Sequence, residues 1–192
     1  MKAVDKMQNI KLKNLILSAM FLGIGLVLPF LTGQIQQIGN MLLPMHIPVL
    51  LCGLICGWQY GLAAGFIMPI LRSFLFSMPH MFPNAVSMAF ELATYGFAAG
   101  FLYSRSKWKC IKSLLKSMII SMLSGRAVWG IVQVLLLGIG NDGFTFHAFI
   151  AGAFLNAIPG IILQFILIPA IMVGLHRAKL VPLIYKGKNH DK

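Results

Sequence analysis

Two residues of opposite charge lie within apolar runs of the chain. Arg72 lies near the end of one run and Glu91 lies inside the next, in the stretch PILRSFLFSMPHMFPNAVSMAFELATYG. A charge at the centre of a bilayer costs about 2.5–3.5 kcal/mol on insertion scales, so such a side chain usually faces protein or a water-filled cavity. The two runs are consecutive and antiparallel, so Arg72 and Glu91 reach similar depths and could form an ion pair.

A third charge, Arg126, lies in the middle of a later apolar run, SGRAVWGIVQ. Trp129 and Gln133 follow at i+3 and i+7, on the same face of a helix. One glutamate cannot neutralise two arginines, so the pattern predicts that Arg126 is left to bind a carboxylate or another polar group of a solute, with Trp129 as an aromatic wall. The alternative is that Arg72 and Glu91 form a salt bridge that only fixes helix packing.

Other polar residues extend this candidate pocket. Asn156 lies in the last apolar run, and His46 and His80 lie in the connectors NMLLPMHIP and SMPHMFPN, whose methionines and prolines suit loops that close over a solute. The predicted substrate-binding residues are Arg72, Glu91, Arg126, Trp129, Gln133, Asn156, His46 and His80. The histidines come from separate connectors without a carboxylate at ligand spacing, so we predict no metal site.

Composition places these residues in a membrane protein. Of 192 residues, 58% are hydrophobic and only 10% are charged, against about 25% charged in soluble domains. About 20 residues in a helix cross the hydrocarbon. We therefore predict an all-α integral membrane bundle forming a single membrane domain over 1–192. The six predicted transmembrane helices are about 14–31, 44–57, 60–76, 84–104, 113–138 and 148–175.

The basic residues predict the orientation of this bundle. Of the 16 lysines and arginines, only Arg72 and Arg126 lie inside apolar runs, and the others lie before the first run, after the last run or around the connector 105–116. Cytoplasmic segments carry this excess, so both termini are predicted to be cytoplasmic. The net charge of +12 is then explained by topology and by contact with the lipid bilayer, and no nucleic acid partner is expected.

Small residues recur at four-residue spacing, as in Ala19/Gly23, Gly61/Gly65 and Gly96/Gly100. This spacing lets helix backbones approach closely in lipid. Packing within the bundle explains most of these pairs, but Ala19 and Gly23 on the first helix could face a partner subunit.

No sequence motif indicates catalysis. The chain lacks a phosphate-binding Walker loop and the metalloprotease and serine hydrolase signatures, so we predict that it is not an enzyme and needs no cofactor. Two other classes stay open at this point. The first is a stand-alone proton-coupled secondary carrier that uses Glu91, and the second is a membrane enzyme or assembly factor that uses His46 or Glu91.

Three segments, LLPMHIPVLLCGLICGWQYGL, PILRSFLFSMPHMFPNAVSMAFELATYGFAAGFLY and GRAVWGIV…NAIPGIILQ, resemble the substrate-binding S components of energy-coupling factor (ECF) vitamin transporters. The resemblance extends over about residues 12–178. It implies a high-affinity substrate-binding subunit in the bacterial plasma membrane that takes a vitamin or vitamin precursor through spans four to six and the outer loops. Its implied partners are a transmembrane coupling protein and two ATPase subunits, which hydrolyse the ATP.

The resemblance also implies a docking site and a range of solutes. Ala19 and Gly23 match the place where the family carries its AxxxA-type docking motif, although the second residue here is glycine and no third alanine follows. Two arginines against one glutamate favour an anionic solute such as pantothenate. Pyridoxine-like compounds, hydroxymethylpyrimidine and riboflavin remain open.

Overall fold

A computed structural model describes residues 2–32, 43–106, 110–138 and 157–178. The described residues form helices and no strand, which confirms the predicted all-α membrane bundle. The α-helices are α1 (Lys2–Val27), α2 (His46–Cys56), α3 (Trp58–Phe76), α4 (Val86–Arg105), α5 (Ile111–Leu137) and α6 (Ile158–Arg177). All but α2 are long and apolar enough to cross a membrane. "Outer" and "inner" below follow the orientation predicted from the basic residues.

The helix bounds agree with most of the predicted spans. α1 begins well before residue 14, at Lys2, and continues at its outer end as a 3-10 helix, Leu28–Thr32. Gly57, at φ 107°, separates α2 from α3, a conformation that glycine adopts without a steric penalty. A short irregular turn, Met81–Ala85, leads into α4. The first part of the sixth predicted span, 148–156, lies outside the described residues, as does most of the predicted single domain's C-terminal tail.

α4 packs against α2, α3 and α5. On one side its backbone meets α2 and α3 at glycines: a Cβ on Gly61 would lie 2.6 Å from the Cα of Gly53 and 2.7 Å from the carbonyl oxygen of Gly96. A Cβ on Gly65 would collide with the backbone at Leu92. These contacts confirm that the Gly61/Gly65 spacing serves packing within the bundle, and they fix how α3 and α4 are rotated about their own axes.

α1 lies at the edge of the bundle and packs on α2 and α3. Of the most apolar 18-residue stretch of α1, only 17% is buried. Ala19 and Gly23 are both exposed, and a Cβ on Gly23 would meet nothing within 4 Å. Gly25, on the opposite face, packs closely against Met68 of α3 and against Pro48. α1 therefore has one face that contacts the bundle and one apolar face that is free within the described chain.

α6 packs against α2 and α5 and completes the core. Ile168 and Met172 are buried in a cluster with Tyr95 of α4 and with leucines of α2. Gln164, one helical turn before Ile168 and on the same face, is also almost fully buried. The buried face of α6 therefore carries one polar residue toward its outer end.

Candidate functional site

A buried ion pair joins α4 to α5. Arg126 Nη1 lies 2.9 Å from Glu91 Oε1, and the two residues are 6% and 1% exposed. Because α4 and α5 are antiparallel neighbours, a glutamate near the outer end of α4 and an arginine in the middle of α5 reach the same level. Two opposite charges this close offset part of the penalty for burying either one alone.

Two aromatic rings surround the carboxylate. His46, at the start of α2 and 1% exposed, has Nε2 3.6 Å from Glu91 Oε1, which is longer than a direct hydrogen bond. Tyr95 lies one turn after Glu91 on the same face of α4 and is 2% exposed. The rings of His46 and Tyr95 pack edge to face, with centroids 5.1 Å apart. Gly125 leaves room for this arrangement, because a Cβ there would lie 3.2 Å from the Tyr95 ring.

A second polar contact lies nearer the outer end of the same helix pair. Gln133 Nε2 of α5 donates a hydrogen bond to Ser87 Oγ of α4 at 3.1 Å, and both side chains are buried. Together with the ion pair and the two rings, this contact forms what we call the polar cluster: His46, Ser87, Glu91, Tyr95, Arg126 and Gln133.

The polar cluster keeps hydrogen-bonding capacity that the described residues do not use. Arg126 Nε and Nη2 are buried and have no hydrogen-bond partner within those residues, and the same holds for Gln133 Oε1. Buried polar groups are nearly always hydrogen-bonded, so such atoms call for a partner. The Nε/Nη2 edge of a guanidinium presents two parallel donors, which match a carboxylate. The cluster can therefore hold a polar solute by both donors and acceptors.

The structure corrects two expectations about the arginines. Glu91 pairs with Arg126, and no ion pair joins it to Arg72 among the described residues. Arg126, expected to lack a partner, thus has one, while Arg72 lies in a different contact between α3 and α1. Depth along consecutive spans suggested the pairing, but the glycine contacts rotate α3 so that Arg72 reaches the end of α1.

Three other predicted site residues lie in different places. Trp129 is half-buried on α5, between the two cluster residues of that helix. His80 is exposed on the turn before α4 and is not brought into the cluster. Asn156 lies outside the described residues. The solute-binding role of all these residues stays a prediction.

Tyr95 and Ser87 belong to the cluster but were not among the predicted site residues. A signal for them was present, because Ser87, Glu91 and Tyr95 follow one another at four-residue spacing and therefore lie on one face of a helix. Tyrosine and serine are common in apolar helices as packing residues, so only the buried charge between them marks this face as special.

Comparison with known proteins identifies the family of this chain. No curated protein and no solved structure matches the chain. A family model described as "ECF transporter, substrate-specific component" matches residues 13–172, which contain the whole polar cluster and most of each helix. Members of this family are multi-pass membrane proteins that bind a small-molecule substrate as subunits of a transporter. Because the match extends over most of the chain, this protein belongs to the family of substrate-specific components of ECF transporters.

Proposed function

We propose that the chain is the high-affinity binding subunit of an ATP-driven importer for a vitamin or vitamin precursor, and that the polar cluster is its solute site. The observation that carries the proposal is the buried Nε/Nη2 edge of Arg126, which has no hydrogen-bond partner in the part of the chain that the structure describes. Nη1 of the same guanidinium is held by Glu91, so the orientation of this edge is set before the solute arrives. Preorganised donors of this kind bind more tightly because less order is lost on binding.

The Nε/Nη2 edge of the Arg126 guanidinium also indicates which class of solute the site would bind. With Arg72 outside the cluster, the described site holds one arginine and one glutamate, so the general attraction for anions expected from two arginines is weaker. Two parallel donors still favour a carboxylate, and pantothenate carries one beside hydroxyl and amide groups that suit Gln133. Pyridoxine-like compounds, hydroxymethylpyrimidine and riboflavin offer ring acceptors to the same edge and are the competing candidates.

The free face of α1 supports a docking role. A shallow apolar groove lies there, lined by Met20, Gly23, Ile24, Val27 and Leu28. Small residues at such a face let a partner helix approach closely in lipid. We propose that this α1 groove, with Ala19 one turn below Gly23, receives the transmembrane coupling protein. That protein and two ATPase subunits would form the complete importer in the bacterial plasma membrane.

Solute release from the purified protein tests the binding site. The protein is purified in detergent from cells grown in rich medium and denatured, and the released small molecules are identified by mass spectrometry. Isothermal calorimetry then compares pantothenate with pantothenol, which has a hydroxyl in place of the carboxylate. A charge-assisted hydrogen bond contributes about 1.5–3 kcal/mol, so pantothenol should bind about ten- to a hundred-fold more weakly.

The variant Arg126→Met provides the control for this comparison. It should bind pantothenate weakly and should no longer distinguish it from pantothenol. Stoichiometric release of another vitamin would overturn the choice of pantothenate and leave the binding-subunit function intact. A protein that releases nothing and binds none of the four candidates would overturn the proposed function. Uptake into vesicles without the ATPase subunits would instead favour the secondary carrier.

A further inference from the structure

Arg72 is buried at the outer end of α1 although it belongs to α3. Its Nη1 donates a hydrogen bond to the Leu26 carbonyl oxygen at 2.6 Å, and the side chain is 3% exposed. The guanidinium carbon lies 5.3 Å from the ring centroid of Phe30 and 5.5 Å from that of Phe76, and these two rings pack edge to face. Arg72 is thus enclosed by α1 and α3 and is not directed at the polar cluster.

The Leu26 carbonyl is a favourable partner for a cation. The last carbonyls of a helix lack partners within the helix and carry its negative dipole end. Here α1 gives way to a 3-10 helix at Leu28, and Pro29 has no N–H to donate back into the last turn. Arg72 therefore caps α1 from a neighbouring helix, at a depth where unsatisfied carbonyls are costly.

The capped carbonyl lies within the segment that forms the α1 groove. Leu26 follows Gly23 by three residues and directly precedes Val27, and both of these line the groove. Two other hydrogen bonds join α1 to the bundle near its inner end: Asn14 donates to the Cys56 carbonyl at 3.2 Å, and the Tyr60 hydroxyl donates to the Lys11 carbonyl at 3.4 Å. The outer half of α1 packs on the bundle through apolar side chains, with Leu22 and Leu26 against the cluster around Met68. In the outer half of α1, the hydrogen bond from Arg72 therefore adds a directional contact to this apolar packing.

From this arrangement we propose that Arg72 is a positioning residue for docking: it fixes the outer half of α1 on α3 so that the α1 groove is presented to the coupling protein in one orientation. The inference rests on the proposed docking role of α1. A groove that samples several orientations binds its partner with an affinity reduced by the fraction in the competent one. Arg72 thus acts on docking without touching either the solute or the coupling protein.

The test uses the coupling protein with its two ATPases, purified from the same organism, and the full-length chain in nanodiscs. Arg72→Met should weaken the complex by about ten-fold or more, since it removes a charge-assisted hydrogen bond that orients α1. Arg72→Lys should fall between Arg72→Met and the wild type, because lysine keeps a donor and loses the planar contact with the rings. Arg105→Met is the matched control, because Arg105 also stacks on a phenylalanine, Phe101, at 4.8 Å, but at the inner end of α4.

A distance measurement separates positioning from simple loss of stability. Spin labels at Val27→Cys, in the outer half of α1, and at Leu135→Cys, both exposed positions, report the α1–α5 distance by double electron–electron resonance in a Cys110→Ser background. Arg72→Met should broaden this distribution, and Arg105→Met should leave it unchanged.

Each outcome decides a different question. If Arg72→Met binds the coupling module as tightly as the wild type, or binds weakly with an unchanged distance distribution, the positioning role is refuted and the proposed function stands. If the wild type itself does not bind the module, the docking role of α1 is refuted, and so is the positioning role of Arg72. If Arg72→Met does not fold, Arg72→Lys is tested in its place. The inference is refuted if Arg72→Lys binds the coupling module as tightly as the wild type and has the same distance distribution.

Discussion

The ion pair between Glu91 and Arg126 leads to a prediction that separates folding from solute binding. Arg126→Met removes the cation and leaves a buried carboxylate, while Glu91→Gln removes the carboxylate and leaves a buried guanidinium. The double variant removes both charges and keeps side chains of similar volume. We expect each single variant to be clearly less stable than the wild type, and the double variant to recover most of the loss.

The magnitude follows from the burial of the pair. Both residues are almost fully buried and their charged atoms lie 2.9 Å apart. Breaking such a pair from one side costs about 3–5 kcal/mol, whereas replacing both partners by neutral groups is often neutral or stabilising. For a chain of this length about 1 kcal/mol shifts the midpoint by about 2–4 °C, so each single variant should unfold about 6–20 °C below the wild type. The double variant should lie within about 4 °C of the wild type, which is about 1 kcal/mol.

Thermal unfolding in detergent, followed by the loss of monodisperse protein on size exclusion, measures all four proteins. Calorimetry with the solute is then run on those that stay folded. The double variant should regain stability without regaining affinity, because the open donor edge is lost with Arg126. If the single effects simply add in the double variant, within about 0.5 kcal/mol, the two charges are not coupled and the reasoning is refuted. If the double variant binds the solute like the wild type, Arg126 is not a solute ligand.

Three further predictions follow from the helix contacts. Gly65→Ala should lower the unfolding midpoint by several degrees, because a Cβ would collide with the backbone at Leu92. The control Gly174→Ala, where a Cβ would meet nothing within 4 Å, should be neutral or slightly stabilising. Equal effects of the two substitutions on the midpoint would contradict the packing of α3 on α4. Gly23→Leu should leave stability and solute affinity unchanged, since a Cβ at this position meets nothing within 4 Å among the described residues. It should weaken binding to the purified coupling module. A lower midpoint of thermal unfolding would mean that α1 packs differently. Gln133→Leu should lower solute affinity in calorimetry by about ten-fold, as one neutral hydrogen bond with its buried partner is worth about 1–1.5 kcal/mol, and unchanged affinity would remove Gln133 from the site.

Much of the fold could be predicted from local properties of the chain. Runs of about 20 apolar residues must cross the membrane as helices, because every backbone polar group needs a partner in lipid. This is why four of the predicted spans, 44–57, 60–76, 84–104 and 113–138, lie within two residues of observed helices at both ends, and why the short second span was recognised as a separate helix. α1 departs most, since helix formation continues into the polar N-terminal residues, where hydropathy carries no signal.

The candidate site could be predicted only in part, for a physical reason. The cost of burying charge requires Glu91 and Arg126 to face the protein interior, and this depends on residue type alone. Which charge meets which depends on the rotation of each helix about its own axis, and hydropathy does not determine rotation. Glycine contacts between α3 and α4 set that rotation, so Arg72 caps α1 and leaves Glu91 to Arg126.

The sequence by itself thus determined that this is a helical membrane protein with buried charges and a basic inner side, because these properties follow from the hydrophobicity and charge of successive residues. Only the tertiary structure decided that Tyr95 and Ser87 join the polar cluster, that Gly23 lies on a face left open by the described residues and Gly65 on a closed one, and that the two arginines make different contacts. Each of these depends on contacts between residues far apart in the chain, which close packing of the helices creates.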